Sequence, residues 1–310
     1  MDYQRFIEEQ IGEIKKEIGD GVAVNALSGG VDSSVLTVLA HRAIGDRLKT
    51  YFIDNDLMRE GEPRAVVKSF ADMGIPVQLV DSRREFLDAL KGISDPEEKR
   101  HAITDTFYKR VFSRIVKESG AGVLLHGTIL TDIEETVAGI KRQHNILEQL
   151  GIDTEKEYGY RVLEPLKTLR KDGVREVAKE LGLPMEVWNR IPFPGPALAA
   201  RIVGEVTEER LGIVRRATAI VEGELGGSGA FQYLAVLLND KATGIRDNRR
   251  EFGHIIVVRC IESTDARTAT ATELPWERLH RICQAIVDIP GVNRCLYDLT
   301  PKPPATVEYV

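Results

Sequence analysis

The feature that most constrains this chain is the regular alternation, over residues 1 to about 190, of short apolar runs rich in β-branched residues with amphipathic helical segments. GVAVNAL (21–27), LKTYFID (48–54), PVQLVD (76–81) and GVLLHGT (122–128) read as strands, with helices such as 33–44, 62–73 and 104–119 between them. Strand–helix–strand units of this length build an α/β fold in which a parallel sheet is covered by helices on both faces. Ligands of such sheets collect beyond the carboxyl ends of the strands. Three strand ends therefore matter together, Ser28 to Ser34, Asp54 to Arg59 and His126 to Asp132, and they are expected to converge on one crevice.

The alternation stops at NRIPFPGPALAARIVGEVT (189–207), where three prolines and a glycine fall within Pro192 to Pro196. Neither a helix nor a central strand survives such a run, so it reads as a domain junction. Two domains are expected, 1–190 and 191–310. The second is a smaller α+β unit with a helix at 208–225, the runs FQYLAVLL and HIIVVRCIE, a helix at 275–288, NRCLYDLT and a closing PPATVEYV.

Composition narrows the partners. A formal net charge of -6 with a pI near 5.7 is the wrong sign for a protein that grips nucleic acid through many phosphates, so nucleic acid is not expected as a ligand. No apolar run approaches the roughly 18 residues of a membrane span. The first residues, MDYQRFIEEQIGEIKKEIGD, read as an acidic amphipathic helix and not as a signal peptide, so a cytoplasmic location is expected. Cys260, Cys283 and Cys295 are too far apart for a metal motif and read as small core residues.

At the first strand end the turn SGGVDSS holds glycines that let the backbone approach an anion, followed by the unpaired N–H groups of a helix start. The hydroxyls of Ser33 and Ser34 add donors. Asp32 is the odd member, because a carboxylate beside a phosphate is repulsive unless a cation lies between them. Mg2+ takes one or two carboxylates together with phosphate oxygens. Two readings stay open on geometry alone: Asp32 as a magnesium ligand in a pyrophosphate cradle, or Asp32 as a helix cap.

SGGVDSS resembles the PP-loop of the N-type ATP pyrophosphatases, which cleave ATP between its α and β phosphates and share an adenine nucleotide alpha hydrolase-like fold. DPEEKR (95–100), LEPLKTLRKDGVREVAKELGLP (163–184), PFPGPALAARIVGEVT (192–207) and YDLTPKPPATVEYV (297–310) extend the likeness nearly end to end. In that order they resemble the ATP-pyrophosphatase subunit of GMP synthase, in the archaeal form whose glutaminase is a separate polypeptide. The resemblance implies ATP and Mg2+ as cofactors and adenylation of the C2 oxygen of xanthosine 5′-monophosphate (XMP). Ammonia from the glutaminase partner would then displace AMP to give GMP.

Residue by residue, the resemblance implies that Ser28, Gly29, Gly30, Val31, Asp32, Ser33 and Ser34 hold the pyrophosphate, with Asp32 on the metal. Asp54 and Arg59 would lie near the nucleotide, Arg59 having the alternative of a solvated charge at a helix start. Gly127 and Thr128 would lie on the adenine side, with Asp132 the family's acidic residue. Lys141 and His144 map onto a lid, where the lysine faces the phosphates and the lid keeps water from the adenylated intermediate. Phe193, Pro194, Gly195, Pro196, Arg201, Lys302, Thr306 and Glu308 would receive XMP. An ordinary C-terminal strand with surface charges is the alternative for the tail. The resemblance also implies a homodimer formed through the C-terminal domain.

The match departs from the family pattern at the lid and acceptor side. QGTxYPDxIES reads HGTILTDIEET, so His126 stands for Gln and Thr131 for Pro, and the lid loses one histidine, a glycine pair and a proline. PGPGLA becomes PGPALA. Two other functions stay open on these grounds: a paralogous PP-loop amidoligase adenylating a different carbonyl acceptor, and a non-catalytic adenine-nucleotide sensor.

Overall fold

A computed structural model describes residues 1–137, 160–264 and 267–310. The described chain divides into two compact units, one of Met1–Asp54, Pro63–Ser82 and Thr104–Arg190, the other of Asn55–Glu62, Arg83–Ile103 and Ile191–Val310. One unit boundary falls between Arg190 and Ile191, but two earlier segments, 55–62 and 83–103, also belong to the second unit.

The first unit is built on β1 (Ala23–Ala26), β2 (Leu48–Asp54), β3 (Val77–Asp81), β4 (Val123–Leu125) and β5 (Arg161–Leu163). They form one parallel sheet in the order β3-β2-β1-β4-β5. Strand order reverses at β1, where Asn25 is level with Thr50 on one side and Leu125 on the other. The loops after β1 and β4 therefore open at the switch point, where ligands of such sheets bind. The helices α1 (Tyr3–Ile18), α2 (Val31–Ile44) and α3 (Glu62–Asp72) alternate with the first strands. α2 is apolar nearly all round, with Val35, Leu36, Leu39 and Ala40 buried, as a helix between sheet and a second helical layer must be.

α4 (Arg83–Leu90) and α5 (Pro96–Asp105) follow β3, and the span expected as one helix at 104–119 is broken by a π-helical stretch, Thr106–Phe112, before α6 (Ser113–Ser119). β4 leads into α7 (Leu130–Val137), and β5 into α8 (Lys171–Glu180). Asn25, buried in the middle of β1, donates from Nδ2 to Thr37 Oγ1 at 2.7 Å, and Thr37 donates to the Ser33 carbonyl at 2.7 Å. That relay fastens the first turn of α2 to the central strand, and a buried amide without it would cost about 1–3 kcal/mol.

In the second unit, β6 (Gln232–Arg246) and β7 (Arg249–Glu262) make one long antiparallel hairpin. Its turn residues, Asp247 and Asn248, have φ of 50° and 59°, the two-residue geometry that Asp and Asn tolerate best after glycine. β8 (Thr270–Ala271) pairs antiparallel and β9 (Val292–Tyr297) parallel with β7. α9 (Glu208–Leu225) packs on β6 and α10 (Trp276–Val287) on β9. A core of Leu234, Val236 and Val257 closes with Val203, Leu238 and Val307.

The buried Lys99 of α5 donates from Nζ to the Ile202 carbonyl at 2.7 Å, and burial together with Arg210 lowers its pKa to about 8. Residues 301–310 form no strand beyond an isolated bridge between Lys302 and Ala269, so the ordinary C-terminal strand is not what the tail builds. Cys260 is buried, whereas Cys283 and Cys295 are only partly so. None of the described helices is long and apolar enough to cross a membrane.

Candidate active site

The turn after β1 closes on itself through its hydroxyls. Ser33 Oγ accepts from the Ser28 N–H at 3.1 Å, lies 2.9 Å from Ser28 Oγ and donates to the Gly30 carbonyl at 3.1 Å, while Gly30 N–H donates to Ser28 Oγ at 3.3 Å. Gly29 holds φ at 76°, a conformation costly for any residue with a β-carbon. The first intrahelical bond of α2 runs from Ser34 N–H to the Gly30 carbonyl, so the N–H groups of Val31, Asp32 and Ser33 head the helix ahead of it. Arg190 Nη1 donates to the Gly29 carbonyl at 3.0 Å and braces the turn from its outer side.

Asp32 does not cap α2. Gly30 occupies the cap position and no side chain bonds there. Instead Oδ2 of Asp32 takes the ammonium of Lys171, the first residue of α8, at 2.5 Å, and Oδ1 is buried with no hydrogen-bond partner among the described residues. Burial holds the Asp32 carboxyl above the ordinary carboxylate range, Lys171 pulls it back, Asp132 adds to the rise and Arg175 opposes it. A carboxylate with one orphaned oxygen and an incompletely offset burial cost has room for a second cation. The described residues hold no cluster of three or more His, Cys, Asp or Glu able to bind a metal by themselves. The donor set thus fits Mg2+ in its usual form, one carboxylate with the rest of the shell from phosphate and water.

The end of β4 adjoins this cradle. A β-carbon on Gly127 would stand 3.4 Å from Ser33 N and 3.5 Å from the Asp32 carbonyl carbon, in ordinary contact, so the end of β4 lies directly against the head of α2. Thr128, buried, donates its hydroxyl to Glu164 Oε1 and lies 2.8 Å from His126 Nδ1. Asp132 accepts from the Ile129 N–H at 3.1 Å, which fixes it in the first turn of α7. Asp54 ends β2, level with Asp81.

A second group gathers in the second unit. Phe193 lies under two guanidinium groups, Arg59 at 3.9 Å and Arg201 at 4.7 Å from the ring centre. Arg201, buried, makes a two-pronged pair with Glu308, Nε to Oε2 and Nη2 to Oε1 at 3.2 Å each, and Gln232 Nε2 adds a bond to Oε1 at 2.9 Å. Arg59 is not a solvated charge: its side chain is 12% exposed and Nε holds Glu222 Oε1 at 2.5 Å. It sits in the same unit as Phe193, so Asp54 and Arg59, read together from sequence, fall in different units.

Lys302 is tied by its backbone to Ala269, and Thr306 offers its carbonyl to Arg259 Nη2 at 3.2 Å. Pro194 accepts from the Ala197 N–H at 2.9 Å, so Pro194, Gly195 and Pro196 form a tight turn into the short helical stretch Ala197–Arg201.

The structure therefore brings Ser28, Gly29, Gly30, Val31, Asp32, Ser33, Ser34, Gly127 and Thr128 together in one unit, and Arg59, Phe193, Arg201 and Glu308 in the other. Lys141 and His144 lie outside the described residues. Sequence reasoning missed Lys171, Arg190 and Glu164, each more than 30 residues from its partner. Lys171 was within reach, since it stands inside the motif 163–184.

Known proteins share both regions. Residues 226–309 match the GMP synthase C terminal domain and residues 18–129 match the asparagine synthase model. One subunit of the glutamine-hydrolyzing GMP synthase of Archaeoglobus fulgidus is 50% identical over 310 residues, covering 100% of both chains. The corresponding GMP synthase subunits of Pyrococcus furiosus and Methanocaldococcus jannaschii are 49% and 48% identical, over 99% and 100% of this chain and 97% and 99% of theirs. With identity at this level along the whole length, and with both family models falling on the two regions just described, the chain belongs to the family formed by these archaeal subunits of glutamine-hydrolyzing GMP synthase.

Proposed function

We propose that this chain is the synthetase subunit of a two-part GMP synthase. It uses ATP to adenylate the C2 oxygen of XMP and transfers ammonia to that carbon, releasing AMP and pyrophosphate. The observation that carries the reading is Asp32 at the head of α2, one oxygen on Lys171 and the other buried and unpartnered, inside a cup of serine hydroxyls and helix-start N–H groups. That arrangement suits a diphosphate accompanied by a divalent cation, and Mg2+ bound there by Asp32 would supply charge neutralisation for the departing pyrophosphate.

The chain's own part is positional. Ser28 and Ser33 exchange their mutual hydrogen bonds for phosphate oxygens, and the N–H groups of Val31, Asp32 and Ser33 add donors backed by the helix dipole. Lys171, already held on Asp32, supplies a positive charge at the same place. In the second unit, Phe193 with Arg201 and Glu308 would receive the purine nucleotide, Lys302 supplying charge for its phosphate and Thr306 closing the tail. Lys141 and His144 belong to this reading as lid residues.

A separate glutaminase polypeptide supplies the ammonia. The relatives are each named as one subunit of a larger enzyme, and no cysteine precedes Cys260 to act as a glutaminase nucleophile. Two copies of the chain pair through the second unit, a reading supported by Ile245 and Phe252, 81% and 66% exposed on the β6–β7 hairpin. The reaction takes place in the cytoplasm. The test is pyrophosphate release from ATP in the presence of Mg2+ and ammonium, with and without XMP, and with GMP identified as product. Release with another carbonyl acceptor alone would assign the chain to a paralogous activity, and nucleotide binding without release to a sensor.

A further inference from the structure

The end of β4 carries a polar relay that the phosphate cup does not use. Thr128 has one hydroxyl proton, and it goes to the Glu164 carboxylate. Toward His126, 2.8 Å away, the same oxygen is left only as an acceptor, so His126 Nδ1 carries the ring proton. The tautomer is thereby fixed, and Nε2 bears a lone pair. Nε2 makes no hydrogen bond among the described residues, and His126 as a whole is only partly buried. His126 directly precedes Gly127, which lies against the Asp32–Ser33 backbone, and Asp132 interacts electrostatically with both His126 and Asp32.

Burial drives the His126 imidazole down to about 4, against the opposing pull of Asp132, so the ring is neutral at neutral pH. A cationic ring there would be one more phosphate ligand. A neutral ring whose only proton is committed elsewhere is an acceptor and nothing else. Pyrophosphate oxygens and purine carbonyls are acceptors too and have no use for it. Ammonia brings three N–H groups, and it must arrive unprotonated to attack. A carboxylate in this place would favour ammonium, whose nitrogen has no free lone pair, whereas a neutral imidazole binds ammonia with much less of that bias. Resting on the GMP synthase reading, we infer that Nε2 of His126, locked by Thr128 and Glu164, accepts a hydrogen bond from ammonia beside the phosphate cup and orients it for attack.

The experiment uses the full chain with ammonium chloride as nitrogen source and compares wild type with His126→Phe and His126→Gln. Two readouts are taken: the KM for ammonia, and the XMP-dependent exchange of labelled pyrophosphate into ATP without ammonia, which reports the step before the amine enters. His126→Phe is expected to raise the ammonia KM about tenfold, the loss of one hydrogen bond, with exchange and the ATP KM unchanged. His126→Gln, which keeps an acceptor oxygen, restores most of the loss. His126→Ala replaces the phenylalanine variant if that fails to fold. An unchanged ammonia KM overturns the inference. So does a change in the ATP KM or in exchange instead, which would assign Nε2 to the ribose hydroxyls or the adenine amine of ATP. Failure of the underlying reading is seen separately, as wild-type protein without XMP-dependent exchange.

Discussion

The Lys171 ammonium rests 2.5 Å from Asp32 Oδ2, although the two residues are 139 positions apart. The pair joins the first turn of α8 to the first turn of α2, so a carboxylate that would repel phosphate is met in advance by a cation. Its other oxygen stays buried and unpaired, which keeps the group short of charge compensation until something positive arrives.

Replacing Asp32 by alanine removes both the lysine partner and the metal ligand. XMP-dependent pyrophosphate release should fall by at least about 10²-fold, the scale of one electrostatic contact in a closed site. Thermal melting should stay at or above the wild-type value, because a buried and incompletely paired charge has been removed. Retained turnover would show that Asp32 does not serve the chemistry.

Lys171→Met is expected to lower turnover by a similar factor while acting differently on stability. It leaves Asp32 without its partner, so the carboxyl rises further and the folded state is weakened. Calorimetry of the two single variants and the double variant measures the coupling, which should be well above the error of additive sites.

Glu308→Gln breaks a two-pronged ion pair to an arginine that is 1% exposed on its side chain. Leaving Arg201 uncompensated should cost roughly 3 kcal/mol and raise the KM for XMP more than that for ATP. An unchanged melting temperature and unchanged constants would reduce the pair to a surface contact.

Asp298 predicts an acid response. Burial pushes its carboxyl up, but bonds from the Thr300 hydroxyl, the Tyr309 hydroxyl and the Thr300 N–H, with the Arg259 guanidinium at 2.5 Å, override it and hold the group at about 2. The unfolded chain binds this proton near pH 4 and the folded chain only near pH 2. The stabilisation is therefore complete above pH 4 and is lost as pH falls through 2. Asp298→Asn should flatten stability across that window and lower it at neutral pH, as followed by chemical denaturation at several pH values.

Gly204→Ala tests a turn in which Arg210 holds the carbonyls of Val203, Glu205 and Leu238. Its φ is +92°, and an added β-carbon would collide with the Asn239 side-chain amide. A loss of about 2 kcal/mol or more in unfolding free energy is expected.

The serine–glycine turn was legible because it is consecutive: Ser28 to Ser34 carry their own turn, donors and helix start within seven residues. β1, β2 and β4 were legible for the same reason, each being a short run of apolar residues next to a breaker. The Lys171, Arg190 and Glu164 contacts were not, since a hydrogen bond between segments 36 to 161 positions apart leaves no periodicity in the chain. The β6–β7 hairpin was read too short because its outer halves are polar and exposed, and only the positive φ of Asp247 and Asn248 shows where it turns. Arg59 carried two readings, a charge near the nucleotide and a solvated charge at a helix start; its burial comes from Phe193 and Glu222, far along the sequence.

That the second unit collects 55–62 and 83–103 along with 191–310 bears on how the protein is made. On the ribosome, Arg59 and Lys99 emerge long before Phe193, Ile202 and Glu222 are synthesised, so both wait for partners that the first 190 residues do not contain. A gene cut at codon 190 would separate both residues from the piece that needs them, leaving an amino-terminal fragment that carries 55–62 and the largely helical 83–103 without the rest of their unit, and a carboxyl-terminal fragment lacking its buried lysine.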